Sequence, residues 1–187
     1  MPYTTKEISE ILNDENEDEK ISLLSNLTET TNSKIIMQVI SALDDDEIRV
    51  RGEAFSSLFL NNNDISEILI SSLTDNSKNI RGFSALILAN RGDTNSIDSL
   101  IDLTKDTSGM VRSCAFGALG HLRIKQAKKE MHVGIFDDNI EVKKSAAFAL
   151  YLIEEKLSEL ERKELENQND GDFNKILKWW TGRDLNP

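Results

Sequence analysis

The sequence predicts an all-α solenoid built from repeated pairs of antiparallel helices. One observation is an aspartate that recurs every 30 or 31 residues, at Asp14, Asp45, Asp75, Asp106 and Asp137. Another is a cationic residue that keeps the same intervals, at Lys20, Arg51, Arg81, Arg112 and Lys143. The third is apolar spacing of three and four residues, which is typical of helices rather than strands. Two residue classes that share one period over five copies indicate stacked structural repeats.

Each period divides into two helices that are separated by polar turns such as residues 13–18 and 61–64. The helices predicted for the first half are Thr4–Leu12, Glu17–Leu27, Ser33–Leu43, Ile48–Leu60, Ile65–Leu73 and Asn79–Asn90. Those predicted for the second half are Ser96–Leu103, Met110–Leu122, Lys125–Phe136, Ile140–Glu154, Lys156–Glu166 and Asp172–Trp180. The only prolines are Pro2 and Pro187, so nothing between them interrupts a helix. We therefore expect one domain over 1–187, with helix pairs at roughly 4–27, 33–60, 65–90, 96–122, 125–154 and 156–180.

The turns and the second helices follow a consistent pattern. Two residues after the repeated aspartate stand Ser77, Ser108 and Asn139, which are side chains suited to cap the helix that follows; Asp170 holds the matching place in the last pair. In the second helix, small and aliphatic residues fall within about one third of the circumference, and this stripe should face the partner helix. In two copies it reads Ala115, Ala118, Leu119 and Leu122, then Ala146, Ala149, Leu150 and Ile153.

A helix pair with an Asp in its turn, Val-Arg six residues on and an Ala/Leu-rich second helix resembles a HEAT repeat. It is most similar to the short bacterial kind that also occurs in bilin lyases. The resemblance implies a right-handed α-α superhelix of about six pairs. It also implies a structural ladder between neighbouring units through Asp45/Arg51, Asp75/Arg81, Asp106/Arg112 and Asp137/Lys143.

The last pair departs from this pattern, with Gln168 and Asn174 where Asp and Lys/Arg would fall. A terminal repeat has no further neighbour, so an atypical cap is expected there. We expect Trp179 and Trp180 to close the end of the core; the alternative is an exposed aromatic docking point.

The chain is acidic, with a formal net charge of −11. Residues 1–60 carry 13 acidic against 5 basic side chains. Because nucleic-acid affinity comes largely from neutralising phosphates, this balance disfavours nucleic-acid binding and favours a basic protein partner. With no apolar run long enough to span a membrane and no signal-like start, we expect a cytoplasmic protein.

The sequence contains few patterns that are typical of catalytic or metal-binding sites. We find no phosphate-binding loop, no metal-ligand spacing and no catalytic set around Cys114, His121 or His132. We therefore predict no enzyme activity, no metal and no cofactor. The acidic runs lack the alternating ligands and central glycine of a calcium loop. One basic group, Arg123, Lys125, Lys128 and Lys129, has no interleaved aromatic and is interpreted as a solvated helix start, with a phosphate contact as the alternative.

The resemblance places the second helices on the concave side of the array. Positions opposite the core stripe are small in the middle of the chain and larger toward its ends. We expect a shallow trough there, with close helix packing as the alternative explanation of its glycines. The predicted binding residues are Phe59, Leu86, Phe148, Tyr151, Gly82 and Gly117.

Together these features predict a non-catalytic protein-binding module, monomeric when free. The sharper hypothesis is an acidic inhibitor that masks a basic partner enzyme, as immunity proteins do against polymorphic toxins. Its electrostatic residues would be Asp14, Glu15, Glu17, Asp18, Asp44, Asp45, Asp46 and Glu47. The alternatives are a bilin lyase-like or DNA glycosylase-like enzyme or subunit, and a plain assembly scaffold. The glycosylase alternative is weak because such enzymes need a basic, aromatic-lined concave surface.

Overall fold

The computed structural model describes residues 3–168, 171, 173–175 and 177–178. Within these residues the regular structure is entirely helical, without a β-strand, which confirms the all-α class. The chain forms two compact units, Met1–Ser96 and Ile97–Pro187, referred to below as unit 1 and unit 2. Asp170, Trp179 and Trp180 lie outside the described residues, so the predictions made for them stay predictions.

Unit 1 contains three helix pairs. They are α1 (Thr5–Leu12) with α2 (Glu17–Ser25), α3 (Ser33–Ser41) with α4 (Ile48–Leu60), and α5 (Ser66–Ser71) with α6 (Lys78–Asn90). The first helices pack in the order α1, α3, α5, and the second helices in the order α2, α4, α6. Two layers of helices with a shared apolar core result, as the period predicts.

Unit 2 continues the same pattern of paired helices. Its helices are α7 (Ile97–Leu103), α8 (Gly109–His121), α9 (Lys128–Gly134), α10 (Ile140–Leu152) and α11 (Glu159–Glu166). α8 packs against α7 and α10, and α10 also packs against α9. Residues 173–175 and 177–178 are helical as well. Phe173 is fully buried and helps to close the apolar core of this unit.

Several first helices end earlier than the apolar pattern predicts. α3 and α5 give way to the short 3-10 turns Ala42–Asp44 and Ser72–Thr74, so the chain tightens before the repeated aspartate. The fifth pair likewise opens with the 3-10 turn Lys125–Ala127. These turns keep apolar residues such as Leu43 and Leu73 in the core while redirecting the backbone.

The repeated aspartate organises the turn that follows it. One carboxylate oxygen accepts a hydrogen bond from the backbone N–H two residues ahead, in every copy of the repeat. The donors are Asn16 at 2.9 Å, Glu47 at 2.9 Å, Ser77 at 2.8 Å, Ser108 at 2.7 Å and Asn139 at 2.8 Å. A short side chain with an acceptor at this distance is what such a turn needs, which explains the period of Asp.

The predicted helix caps are only partly formed. Ser77 accepts from the N–H groups of Asn79 and Ile80, and Asn139 accepts from those of Glu141 and Val142. Ser108 makes no capping hydrogen bond, so the prediction for that residue is wrong. Its own N–H is held by Asp106, and the turn is therefore closed without it.

The repeated cation has two kinds of contact. Within its own pair it donates to main-chain oxygens: Arg51 reaches the carbonyl of Asp45 at 2.6 Å, and Arg112 reaches that of Asp106 at 2.9 Å. For Lys20 and Arg112 the charged partner is the aspartate of the following pair. Lys20 lies 2.8 Å from Asp45.

In unit 2, both carboxylate oxygens of Asp137 accept from Arg112 at 2.7 Å. Lys143, in turn, pairs with Glu164 rather than with the next Asp. Asp45/Arg51, Asp75/Arg81 and Asp106/Arg112 thus meet through side chain and main chain, while the carboxylates of Asp45 and Asp137 bridge neighbouring pairs.

These contacts shift the ionisation of Asp137. Burial alone would raise the pKa of its carboxyl. Hydrogen bonds from Arg112 and from the N–H of Asn139, together with the charges of Arg112 and Lys143, outweigh burial and lower the pKa below its ordinary value of 3.8. A lowered pKa in the folded state means that the ionised carboxylate stabilises the fold.

Small residues set the distance between second helices. Gly120 on α8 lies against α10, where an added Cβ would be 2.8 Å from the Cα of Ala149. Gly134 is equally tight, since a Cβ there would be 2.7 Å from the Cβ of Ala146 and from the ring of Phe116. Close packing, and not an open trough, therefore explains Gly120. Gly52 differs, because an added Cβ there would have nothing within 4 Å of it.

We expect Gly120→Ala to lower the free energy of unfolding by about 1–3 kcal/mol, because the new methyl meets backbone that cannot move aside. Gly52→Ala is the matched control and should raise it by about 1 kcal/mol through helix propensity alone. Urea denaturation of both variants measures the difference. Equal effects from the two substitutions would contradict the packing described for α8 and α10.

We expect Asp137→Asn to cost about 1–3 kcal/mol at neutral pH, because a charged, paired acceptor is lost. The carboxylate stabilises above its ordinary pKa, and its contribution disappears as pH falls through the lower folded pKa. The difference between the two proteins should therefore shrink below about pH 4. The control is Asp102→Asn, at a carboxylate that is 84% exposed and 3.8 Å from Lys105, where a change within about 0.5 kcal/mol is expected. A difference that persists in acid would show that Asp137 acts without its charge.

Candidate protein-binding surfaces

Unit 1 carries an apolar groove between its second and third pairs. It has a volume of about 330 Å³ and is lined by Ile48, Arg51, Gly52, Phe55, Phe83 and Leu86. Leu86 was predicted to bind, and Gly52 stands opposite the core stripe as expected. Ile48, Phe55 and Phe83 were not named by the sequence argument. We call this surface the α4–α6 groove.

Several apolar side chains around this groove are open to solvent. Ile48 is 73% exposed, and Phe59 and Leu60 are 42% and 56% exposed at the other end of α4. Phe59, one of the predicted anchors, is one helical turn beyond Phe55 on the same helix. A concave apolar surface with exposed aromatic and aliphatic groups nearby is the usual character of a binding site.

The predicted glycines of the trough do not share one environment. Gly82 is buried, in contrast to the expectation of an open floor, and so is Ala89 on the same helix. Gly117 on α8 is partly buried. The floor predicted from residue size is therefore replaced in unit 1 by a groove whose walls are aromatic.

In unit 2 the predicted anchors Phe148 and Tyr151 lie together on α10. Their rings stack, with centroids 6.2 Å apart and planes inclined by 14°. Phe148 is 40% exposed, and Tyr151 is partly buried. Together they form a small aromatic patch on α10.

The eight acidic residues of unit 1 that were predicted to attract a partner fall into two groups. Some are occupied internally: Asp45 by Lys20, while Glu17 and Asp18 lie 3.3 and 3.6 Å from Arg49. Asp44 accepts from the amide of Asn79 at 2.8 Å. The remaining four, Asp14, Glu15, Asp46 and Glu47, are exposed and form no ion pair within the described part of the chain. Asp46 and Glu47 directly precede Ile48 and so adjoin the α4–α6 groove.

Among the nucleophilic and titratable side chains considered from the sequence, Cys114 and His132 are partly buried or paired with other side chains. Burial raises the pKa of the Cys114 thiol to about 11, which keeps it protonated at neutral pH. His132 Nδ1 lies 2.6 Å from a carboxylate oxygen of Glu161. Burial would raise the pKa of Glu161, but hydrogen bonds from Ser158 and His132 lower it. This carboxylate caps α11 and fixes its start.

Metal sites and membrane spans are both missing from the described residues. No group of three or more His, Cys, Asp or Glu side chains there is arranged to hold a metal ion. Every helix in that same part of the chain is too short or too polar to cross a lipid bilayer.

Comparisons with solved structures agree on the fold. The chain is similar to a protein in the complex of CpcE and CpcF of phycocyanin lyase from Nostoc sp. PCC7120, with 18% identity, a TM-score of 0.65, and coverage of 80% of this chain and 99% of that one. It is also similar to a designed armadillo repeat protein, with 17% identity, a TM-score of 0.58, and coverage of 94% and 98%. A second designed armadillo repeat protein, in complex with the peptide (KR)4, gives 17% identity, a TM-score of 0.52, and coverage of 95% and 98%. At these identities the likeness shows the fold alone, and it confirms the solenoid class.

Comparison with protein-family models identifies the type of repeat. Residues 66–151 match the family model for HEAT repeats. No curated protein matches the chain significantly in sequence. The matched region contains the three clearest copies of the turn, at Asp75, Asp106 and Asp137, and confirms the resemblance drawn from them. Residues 66–151 therefore contain HEAT repeats.

Proposed function

We propose that the chain is a non-catalytic protein-binding module that captures a basic partner through unit 1. The observation that carries the proposal is the α4–α6 groove, an apolar surface that adjoins the carboxylates of Asp46 and Glu47. An amphipathic segment with apolar residues on one side and Lys or Arg beside them matches this combination of surfaces.

Capture would proceed in two steps. Exposed carboxylates raise the association rate of a basic molecule by long-range attraction, which weakens with salt. Apolar side chains of the partner then fill the groove and slow its departure, because buried apolar anchors carry most of the binding energy. The internal pairing of Asp45 and Glu17 narrows the attracting set to Asp14, Glu15, Asp46 and Glu47. Asp44 and the exposed carboxylate of Asp18 help them.

In its sharpest form the proposal is an inhibitor that masks a basic partner enzyme. Its support is the acidic first third of the chain and an apolar surface next to it. A designed solenoid of the same fold class is bound to the peptide (KR)4, a peptide of lysine and arginine by its letters. We transfer basic-peptide binding to this chain as a proposal, since the likeness itself establishes only fold.

A second candidate function is a subunit of an enzyme complex. It is favoured by the likeness to a protein from the two-component phycocyanin lyase complex. A bilin that co-purifies with the chain, detected by its visible absorption, would favour this candidate over masking. A protein partner whose binding does not depend on salt would favour a plain scaffold.

The proposal is tested with a labelled synthetic helical peptide that has leucines on one face and lysines on the other. We expect it to bind in a fluorescence anisotropy titration, and Ile48→Ser to weaken binding about tenfold, equivalent to about 1.4 kcal/mol. Asp46→Asn combined with Glu47→Gln should weaken binding roughly threefold or more at low salt, with a smaller difference at high salt. These side chains are exposed, so circular dichroism should show unchanged folding.

Met37→Ser is the matched control, because Met37 is 53% exposed on α3 of the same unit but does not line the groove. It should bind as the parent protein does. Equal binding of a peptide with glutamates in place of the lysines, or equal loss in the Met37 variant, would reject the α4–α6 groove as a site for a basic partner.

For unit 2, we expect Phe148→Asp to weaken binding of a natural partner more than it lowers the melting temperature. Phe148 is 40% exposed, so a charge there reaches water without breaking the core. Thermal unfolding and titration with the purified partner give the two quantities. A large fall in melting temperature with unchanged affinity would remove Phe148 from the proposed anchors.

A further inference from the structure

Unit 2 exposes a second apolar surface at the end of α9. Val133 is 67% exposed and Phe136, two residues beyond Gly134, is 46% exposed. On the other side of this segment, Met131 and Ile135 are fully buried. The exposed side chains are therefore not part of the core and face solvent as a pair.

Lys129 completes this surface. It precedes Val133 by four residues on α9, a spacing that places both on one side of the helix. Phe136 follows in the turn just after α9 and lines the same two grooves. We call Lys129, Val133 and Phe136 the α9 ridge. The basic group of the sequence contains no aromatic residue; Phe136 comes seven residues past its last lysine.

A groove runs on each side of the ridge. One, of about 430 Å³, lies between the ridge and residues just after α7 and on α8, including Thr104, Lys105 and Phe116. The other, of about 460 Å³, lies between the ridge and Glu161 of α11. All three ridge residues line both grooves, so a bound segment could cover Val133 and Phe136 from either side.

The charge of this surface is opposite to that of the whole chain. Lys105, Lys128 and Lys129 line the grooves. Lys129 forms no ion pair with any described residue, and Lys105 and Lys128 form only long, exposed pairs of 3.8 and 3.7 Å, which contribute little in water.

The carboxylates of the grooves are mostly engaged. Asp137 is held by both donors of Arg112 and Glu161 by His132 and Ser158. Of the carboxylates that line the grooves in the described part of the chain, only that of Glu130 is left without an ion pair. The available charge here is thus positive in a chain of net charge −11.

We propose that the α9 ridge docks an acidic protein segment that carries apolar side chains at helical spacing. Its apolar residues would lie on Val133 and Phe136, and its carboxylates would meet the three lysines. A phosphate backbone fits this surface less well, because it would leave the two apolar side chains uncovered and be repelled by the rest of the chain. The α9 ridge and the α4–α6 groove would then select partners of opposite charge, and one chain could hold both.

The probe is a labelled synthetic helical peptide with leucines on one face and glutamates on the other, titrated against the full chain by fluorescence anisotropy. We expect Val133→Ser to weaken binding roughly fivefold or more, since an exposed anchor is truncated without disturbing the core. Lys129→Glu should weaken it most at low salt, and should improve binding of the same peptide with lysines in place of glutamates. Leu160→Ser, at a residue of α11 that is 67% exposed like Val133 and lines neither groove, should leave binding unchanged.

Several results would overturn the proposal. They are absence of binding, equal binding of a polyglutamate peptide without leucines, equal loss in the Leu160 variant, and displacement of the peptide by a single-stranded oligonucleotide. Self-association that Val133→Ser abolishes would assign the ridge to a second copy of the chain instead. The Asp46→Asn, Glu47→Gln variant should bind the acidic peptide normally, so failure of this site and failure of the α4–α6 groove are separable.

Discussion

The turn aspartate is the contact on which each helix pair depends. With one oxygen it accepts from the backbone N–H two residues ahead, which shapes the entry into the second helix. With its carboxylate it also takes the cation of the preceding pair, as Asp45 takes Lys20 and Asp137 takes Arg112. Because one side chain closes a turn and joins two repeats, its spacing has to match the length of a whole helix pair.

The close approach of the second helices determines which surfaces remain for binding. Gly120 against Ala149, and Gly134 against Ala146 and Phe116, leave no room for additional atoms between elements of unit 2. In unit 1 the corresponding helices α4 and α6 carry Phe55 and Phe83, and their rings hold open a groove. Small residues thus allow helices to pack in close contact, and aromatic residues at neighbouring positions form concave apolar walls.

The fold was more predictable than the sites for a physical reason. Period, apolar spacing and turn chemistry are local properties, and they identified the repeated helix pairs and their buried stripe, including Ala115 and Leu119. Groove walls depend on side-chain directions across two helices, so the sequence pointed to Leu86 but not to Phe55 or Phe83, which line the same groove. Gly82 was misjudged because residue size does not reveal whether a neighbour covers it. Ser108 makes no capping hydrogen bond, although Asp106 holds its N–H as Asp75 holds that of Ser77.

The charges of the chain show most clearly how far binding sites can be predicted from sequence. Counting residues gives 13 acidic side chains in the first sixty, yet Asp45 and Glu17 lie against Lys20 and Arg49 and attract little from outside. In unit 2 the same internal pairing removes carboxylates from a surface whose lysines remain exposed. Net charge therefore describes the solubility of the chain, whereas the charges left over after internal pairing decide which partner each surface can hold. Two surfaces of opposite character on one acidic chain follow from that difference.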